Sequence, residues 1–187
     1  MSQWSRTVVL ALLLFPASRM APQSVQSATG AATVAADPKD VASADAIIAA
    51  LYDANTNMVD RKIGADRFRS LFVPGARLMP TFKPPTGSAV IRMETVDVYV
   101  RGASSGPPRG GFSEREIART SQAFGNIMQV FSTYETHRDS VDTHPARGIN
   151  SIQLFNDGTR WWVVGVLWDN ARPDKPIPAE YLKRSPQ

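Results

Sequence analysis

The chain of 187 residues is 43% hydrophobic and 20% charged and has no cysteine, a composition typical of a globular domain that folds without disulfide bonds. The absence of cysteine also excludes lipid-modified cysteine and thiol chemistry. The formal net charge is +4, but Lys and Arg stand singly among acids and aromatic residues. Because polyanion-binding proteins usually carry a clustered basic stripe, we expect no nucleic-acid partner.

The first residues carry a pattern typical of an export signal. Arg6 precedes an apolar run over residues 7–15, which Pro16 ends. A membrane-spanning helix needs roughly 20 apolar residues, so we expect cleavage and no stable membrane insertion afterwards. The alternative is an uncleaved anchor. We therefore predict a signal peptide and disordered leader over residues 1–36, and a periplasmic or extracellular domain over residues 37–172.

A helix is predicted at the start of this domain, over residues 41–57. Its apolar residues from Ile47 to Tyr52 recur at helical spacing, and Ser43 or Asp40 is available as the N-cap. The helix therefore has one apolar stripe that needs a surface to cover.

A second, shorter helix is predicted over residues 64–72, with Phe68 and Phe72 on one side, before Pro74 and Gly75 end it. Residues 76–82 and 89–93 are then predicted as strands, separated by a proline-containing turn.

Residues 95–101 fit two structures. Val96, Val98 and Val100 alternate as in a strand, whereas Val96, Tyr99 and Val100 fit one face of a helix. The period of such a short apolar run does not decide between them.

Four long strands are predicted to follow, over residues 112–124, 127–138, 149–155 and 160–171. The last two meet at residues 156–159, where Asp157 and Gly158 suit a tight turn, so they form a hairpin. Long antiparallel strands after a helical half indicate an α+β fold.

This order of elements over residues 40–171, with a tryptophan-rich last strand, resembles the NTF2-like superfamily. That cone-shaped fold is shared by SnoaL-like polyketide cyclases, ketosteroid isomerase and scytalone dehydratase. The chain is most similar to bacterial exported members, through the blocks at residues 66–72, 124–126, 131–135 and 147–154. The resemblance implies a strongly curved antiparallel sheet packed on N-terminal helices. It implies no single function, because this fold hosts enzymes, binders and transport factors.

A sheet curled around the first helix turns alternate residues of each long strand toward a cavity. The rows predicted to face inward are Glu114, Glu116 and Ala118; Met128, Val130, Ser132 and Tyr134; Asn150, Ile152 and Leu154; and Trp162, Val164, Val166 and Trp168. We predict that a small hydrophobic or aromatic molecule binds to Tyr52, Phe68, Phe72, Met128, Ser132, Tyr134, Asn150, Val166 and Trp168. The alternative for Trp162, Val164 and Val130 is that they only pack the core.

Glu116 is the candidate catalytic carboxylate. If it is buried against tryptophan, its pKa rises and it becomes a candidate general acid or base. If it is exposed, it pairs with Arg115 or Arg119. Neither His137 nor His144 falls on the cavity side, and a structural metal site normally needs four ligands, so we expect no metal and no cofactor.

Three hypotheses about the function follow. The first is a binding domain without chemistry, forming a homodimer through the outer face of its sheet. The second is a cofactor-independent isomerase, dehydratase or cyclase, with Glu116 as base and Tyr134 or Asn150 as donor to a developing oxyanion. The third is an interaction module whose cone is filled.

Residues 173–187 form a proline-rich tail. Its four prolines disfavour regular structure, but Ile177, Tyr181 and Leu182 could pack across the body of the domain.

Overall fold

The computed structural model describes residues 34–58, 62–104, 112–138 and 145–183. The predicted signal peptide and most of the leader lie outside these residues, as do His144 and Pro186. Within the described part of the chain, no helix is both long enough and apolar enough to cross a membrane.

Three helices come first: α1 (Pro38–Val41), α2 (Ala44–Asn57) and α3 (Lys62–Ser70). Ser43 caps α2, because its hydroxyl oxygen accepts a hydrogen bond from the amide of Ala46 at 3.0 Å. Asp40, the other predicted N-cap, instead lies in α1 and is buried. The guanidinium of Arg67 in α3 donates to both of its carboxylate oxygens, at 2.6 and 3.0 Å. This ion pair fastens α1 to α3.

The segment that fitted both helix and strand is mainly helical. After β1 (Phe72–Phe82) and the short strands β2 (Val90–Ile91) and β3 (Glu94–Thr95) comes α4 (Val96–Ser104). The hydroxyl of Thr95 accepts from the amide of Val98 at 3.2 Å and so caps this helix. Val100 is buried while Val98 is 44% exposed, which matches the helical face and not the alternation of a strand.

The four long strands are β4 (Ser113–Phe124), β5 (Ile127–His137), β6 (Ala146–Asn156) and β7 (Trp161–Asn170), and each pairs antiparallel with the next, as predicted. The strand order is β2-β1-β7-β6-β5-β4, and β1 runs parallel to β7. The sheet is strongly curved and does not close. The predicted turn joins β6 to β7, with Gly158 at a φ of 94°.

A bulge in β7 corrects the predicted inner row of this strand. The pairing passes from Gln153–Gly165 to Leu154–Val163, so Val164 is skipped and the two faces exchange there. Val163 is fully buried, whereas Val164 is 41% exposed. The prediction that Trp162 and Val164 face inward beside Val166 and Trp168 is therefore wrong, both as cavity wall and as core.

Trp162 lies on the outer side of the sheet. The guanidinium carbon of Arg160 lies 3.6 Å from the centre of its ring, and its indole N–H donates to Oδ2 of Asp157 at 2.7 Å. These contacts brace the β6–β7 hairpin.

A second bulge, in β4, moves Ala118 to the outer face. Glu116 pairs with Tyr134, but Ala118 pairs with Thr133. Glu116 therefore stays on the inner side with Tyr134, and the predicted inward position of Ala118 is wrong.

The core lies between α2 and the inner face of the sheet. Ile47 and Ile48 of α2 are almost completely buried, and they belong to the same cluster as Val130, Ile152 and Leu154 of the sheet. Burial of this apolar stripe stabilises α2 far more than its intrinsic helix propensity does.

The C-terminal segment covers part of the outer face. Its 3-10 helix, Ala179–Leu182, lies against β4 and β5. The hydroxyl of buried Thr133 donates to the carbonyl of Tyr181 at 2.5 Å, and the Tyr181 ring packs 5.7 Å from that of Phe131. Tyr181 thus makes the predicted contact with the domain, while Leu182 is 44% exposed.

Candidate functional site

A cavity of about 60 Å³, partly open to solvent, lies between the helices and the inner face of the sheet. Five aromatic side chains form much of its wall: Tyr52, Phe68, Tyr99, Tyr134 and Trp168. Aliphatic, amide and carboxylate groups complete it: Leu51, Leu78, Val166, Asn55, Asn150 and Glu114. A cavity of about 150 Å³ accommodates benzene, so only a more compact group enters this one fully.

The aromatic side chains pack on one another around Tyr99. The ring of Tyr99 stacks on Phe68 with centroids 5.6 Å apart and meets Trp168 edge-on at 84° and 5.9 Å. Tyr99 lies on α4, Phe68 on α3 and Trp168 on β7. One ring cluster therefore joins two helices to the sheet and fixes this side of the cavity.

Glu114, near the start of β4, is the only acid among the described residues of the cavity wall. Burial raises the pKa of its carboxyl to about 7, and a hydrogen bond from the Asn55 side chain opposes this only in part. The backbone is fixed to α2, because the amide of Glu114 donates to Oγ1 of Thr56 at 2.9 Å and the Thr56 hydroxyl donates to the Glu114 carbonyl at 3.1 Å. Glu114 is thus a positioned carboxyl that changes charge near neutral pH.

Tyr134 crosses β6 to reach the last strand. Its hydroxyl donates to Oδ1 of Asn170 at 2.7 Å. It passes directly over Gly148, where an added Cβ would overlap the phenol. Glycine at position 148 therefore allows this approach. Burial, and then the charge of Glu114, raise the pKa of Tyr134, which stays protonated at neutral pH.

A chain of hydrogen bonds runs from the cavity wall into the core. Nδ2 of Asn150 donates to the Tyr52 hydroxyl oxygen at 3.0 Å, which lies 2.6 Å from Oγ of Ser132. Ser132 donates to Oε1 of Glu116 at 2.5 Å, so Tyr52 is left to donate to Ser132. Desolvation by burial raises the pKa of Tyr52. The chain fixes the Tyr52 ring and gives each of these buried polar groups a partner.

Glu116, the predicted general base, is not part of the cavity wall. Nε and Nη2 of Arg119 donate to its Oε2 at 2.9 and 2.6 Å, and Arg119 also binds Asp45. The sequence offered this pairing with Arg119 for an exposed Glu116, but the side chain is only 19% exposed. Both oxygens of the Glu116 carboxylate accept hydrogen bonds within the protein, from Ser132 and Arg119, so Glu114 is the carboxyl group that faces the cavity.

Six of the nine predicted ligand-binding residues line the cavity: Tyr52, Phe68, Tyr134, Asn150, Val166 and Trp168. The other three lie outside its wall. Phe72 is buried with its ring 4.9 Å from that of Phe68, Met128 packs against the core, and Ser132 is buried behind Tyr52. The structure thus brings together most of the predicted set around one cavity.

The sequence contained partial signals for the residues that were missed. Asn55 follows Leu51 by one helical turn, so both lie on the face of α2 that Tyr52 shares. Glu114 stands two positions before Glu116 in the inward row. Tyr99 belongs to the helical alternative for its segment. Leu78 gave no functional signal.

No group of three or more His, Asp or Glu side chains in the described residues is arranged to hold a metal ion. His137 lies on the outer face, where its Nε2 is 3.0 Å from Oε1 of Glu135. Arg115 and Arg147 donate to the same carboxylate. The Arg147 hydrogen bond is the largest cause that lowers the pKa of Glu135, to about 2. This cluster is an ion-pair network on the sheet surface.

The geometry supports binding and, at Glu114, proton transfer. The aromatic and aliphatic wall favours an apolar group, while Glu114 and the amides supply a few polar contacts. A carboxyl with a pKa of about 7 is suited to accept or donate a proton at neutral pH.

No protein-family model and no curated protein matches the chain. It is similar in structure to an NTF-2 like protein of unknown function from Silicibacter pomeroyi DSS-3, at 14% identity and a TM-score of 0.44, over 67% of this chain and 96% of that one. An NTF2-like protein of unknown function from Methylobacillus flagellatus KT gives 14% identity and a TM-score of 0.44, over 70% and 95% of the two chains. A candidate ketosteroid isomerase from Parabacteroides distasonis ATCC 8503 gives 15% and 0.46, over 69% and 88%.

The expected order of elements is present in the chain itself. Three helices precede β1 and the short strands β2 and β3, α4 follows, and four long antiparallel strands form the curved, open wall around α2. The chain therefore has the predicted α+β fold, a strongly curved, open sheet packed on N-terminal helices.

Proposed function

We propose that this protein binds a small, largely apolar molecule in the cavity beside Glu114. The observation that carries the proposal is the wall itself, whose described residues include five aromatic side chains and one carboxyl group. Convergence of a few polar groups on an apolar cavity is the usual composition of a small-molecule site. With a volume of about 60 Å³, the cavity admits a compact group, and the remainder of a larger ligand would extend through its open side.

Native mass spectrometry of the protein purified from its own host tests this proposal. A co-purifying small molecule should appear with the wild type and disappear when Val166→Phe fills the cavity. Val164→Phe is the matched control, because it makes the same change two residues away on the exposed side of β7. Retention of the molecule by Val166→Phe, or its loss from both variants, would count against this cavity as its site.

Acid–base catalysis is the second candidate, and the raised pKa of Glu114 favours it. A carboxylate with a pKa of about 7 could remove a proton next to a carbonyl or hydroxyl, as in a cofactor-independent isomerase, dehydratase or cyclase. The donor for a developing oxyanion is harder to find. The Tyr134 hydroxyl already donates to Asn170, and the Asn150 amide donates to Tyr52. A substrate would have to redirect one of these hydrogen bonds.

A pH–rate profile tests this candidate once a turnover assay exists. Catalysis by Glu114 predicts that kcat/KM rises as pH increases through about 7 and that Glu114→Gln abolishes this dependence. An unchanged profile in the variant would exclude Glu114 as the base.

We also propose that the protein is exported and forms a homodimer through the outer face of its sheet. Export is supported by Arg6 and the apolar run over residues 7–15. Dimerisation is supported by Val164 and Leu167, which are 41% and 37% exposed on that face. N-terminal sequencing of the mature protein and light scattering test the two proposals. An intact Arg6 would contradict cleavage, and a monomeric mass would contradict the dimer.

A further inference from the structure

The cavity wall is rich in electrons and poor in positive charge. Among the described residues that line it there are five aromatic rings, two amides and Glu114, and no Lys, Arg or His. The faces of aromatic rings carry partial negative charge, and the carboxylate adds a full negative charge when it is ionised. The wall therefore favours a positive charge in the cavity over a negative one.

The ring geometry is that of a corner. Tyr99 and Trp168 meet at 84°, with their centroids 5.9 Å apart, and Phe68 stacks behind Tyr99. Rings that stand at right angles can contact a compact group from two directions, which is how aromatic cages surround a methylated ammonium.

The hydroxyl protons of the cavity tyrosines are engaged within the protein. Tyr99 donates to Oδ1 of Asn55 at 3.0 Å, and Tyr134 donates to Oδ1 of Asn170. The side chain of Asn55 is in turn hydrogen-bonded to Glu114. These hydroxyls would have to give up their bonds to serve an anion or a carbonyl group, whereas a cation needs an acceptor and ring faces, which the carboxylate and the rings supply.

Among the described residues of the wall, none places a cation opposite Glu114. Ionised Glu135 is held by Arg115 and Arg147, and Glu116 by Arg119, but the hydrogen-bond donor to Glu114 is a neutral amide. A buried carboxylate without a counter-ion is costly to ionise, and a bound cation would remove much of that cost.

From this arrangement we infer that the ligand of the cavity carries a compact alkylammonium group, held by the ring faces and by the carboxylate of Glu114. The inference rests on the proposed function and specifies the chemistry of the ligand. The ammonium group occupies the aromatic corner, and the rest of the molecule leaves through the open side. The negative charge of ionised Glu114 balances the positive charge of the ligand.

An NMR titration of the full chain with 2-aminoethanol and with propan-1-ol tests the inference, because these compact probes differ only in an ammonium group and a methyl group. Near pH 8, where the amine is protonated, 2-aminoethanol should bind at least about tenfold more tightly. Glu114→Gln should remove this preference, whereas Glu114→Asp should keep part of it and exposed Glu180→Gln should keep it all. At about pH 5.5, where Glu114 is protonated, the wild type should show a much smaller preference.

The results separate failure of the inference from failure of the proposed function. Equal or tighter binding of the neutral alcohol would refute the assignment of an ammonium group to the ligand, while the cavity would remain a binding site. Preference for 2-aminoethanol that persists in Glu114→Gln would also overturn the assignment. Absence of binding by both probes would overturn the inference, while the native mass spectra of the Val166→Phe and Val164→Phe variants would decide whether the cavity binds any ligand. Circular dichroism of each variant verifies that it is folded.

Discussion

Replacing Glu114 by Gln should stabilise the folded protein at neutral and alkaline pH. Burial raises the pKa of this carboxyl from 4.5 to about 7, so ionising it in the folded state is penalised by roughly 3 kcal/mol at about 1.4 kcal/mol per pKa unit. The cavity is partly open, and solvent screening reduces the penalty. We therefore expect the variant to gain about 2 kcal/mol in the free energy of unfolding above pH 7.

The sign of the pH dependence follows from proton binding. Below the unfolded pKa of 4.5, the carboxyl is protonated in both states and its shift contributes nothing. Between 4.5 and about 7, the folded state holds a proton that the unfolded state has lost, so the stability of the wild type falls as pH rises. Above about 7 the loss is complete. The advantage of Glu114→Gln should therefore grow across this window and then level off.

Urea denaturation at a series of pH values measures this difference directly. Glu180→Gln, an exposed change of the same chemistry, should show no such growth. If Glu114→Gln is no more stable than the wild type above pH 7, or if its advantage is the same at acidic pH, Glu114 is not desolvated in the folded protein and the reasoning fails.

Three further changes have defined outcomes. Glu135→Gln should lower the free energy of unfolding by about 1 kcal/mol near neutral pH, because its arginine partners are largely exposed. Since the pKa of Glu135 is lowered to about 2, the wild type should lose this contribution as pH falls from 4.5 toward 2. Acid titration followed by circular dichroism measures the loss. Identical acid unfolding of the wild type and the variant would contradict this prediction. Gly148→Ala should destabilise the fold by about 1–3 kcal/mol and displace the Tyr134 ring. The control Gly102→Ala, whose new methyl group meets nothing within 4 Å, should be neutral or slightly stabilising. Equal melting temperatures of the two variants would refute the close packing of Tyr134 on Gly148. Truncation after Asn170 removes the C-terminal contacts with β5 and should lower the melting temperature by roughly 4–8 °C, for a loss of about 2 kcal/mol; an unchanged value would mean that this segment adds nothing to stability.

Local sequence patterns predicted the elements and their order because local chemistry specifies them. Apolar spacing and the Ser43 cap define α2, and Gly158 defines the last hairpin. The segment around Tyr99 was ambiguous because a few residues fit both periods, and only its packing against Phe68 and Trp168 favours the helix.

The site was predicted less well than the fold, since alternation gives the side of a strand but not the position along it. Glu114 and Glu116 both face inward. Which of them is paired depends on Arg119, which the bulge in β4 brings onto the same side, opposite Ser132. A bulge leaves no clear mark in a single sequence, and the pKa of Glu114 depends on groups distant in the chain, such as Asn55.

The extra residue in β7 also affects how this protein can be aligned with distant relatives. In a relative without a bulge at the position of Val164, a residue at a given distance beyond the hairpin would point to the opposite face of the sheet from its counterpart here. A gap-free alignment would then equate a solvent-facing position with a cavity-facing one. An alignment should therefore be anchored on the cavity-facing residues Val166 and Trp168, with a gap placed opposite Val164.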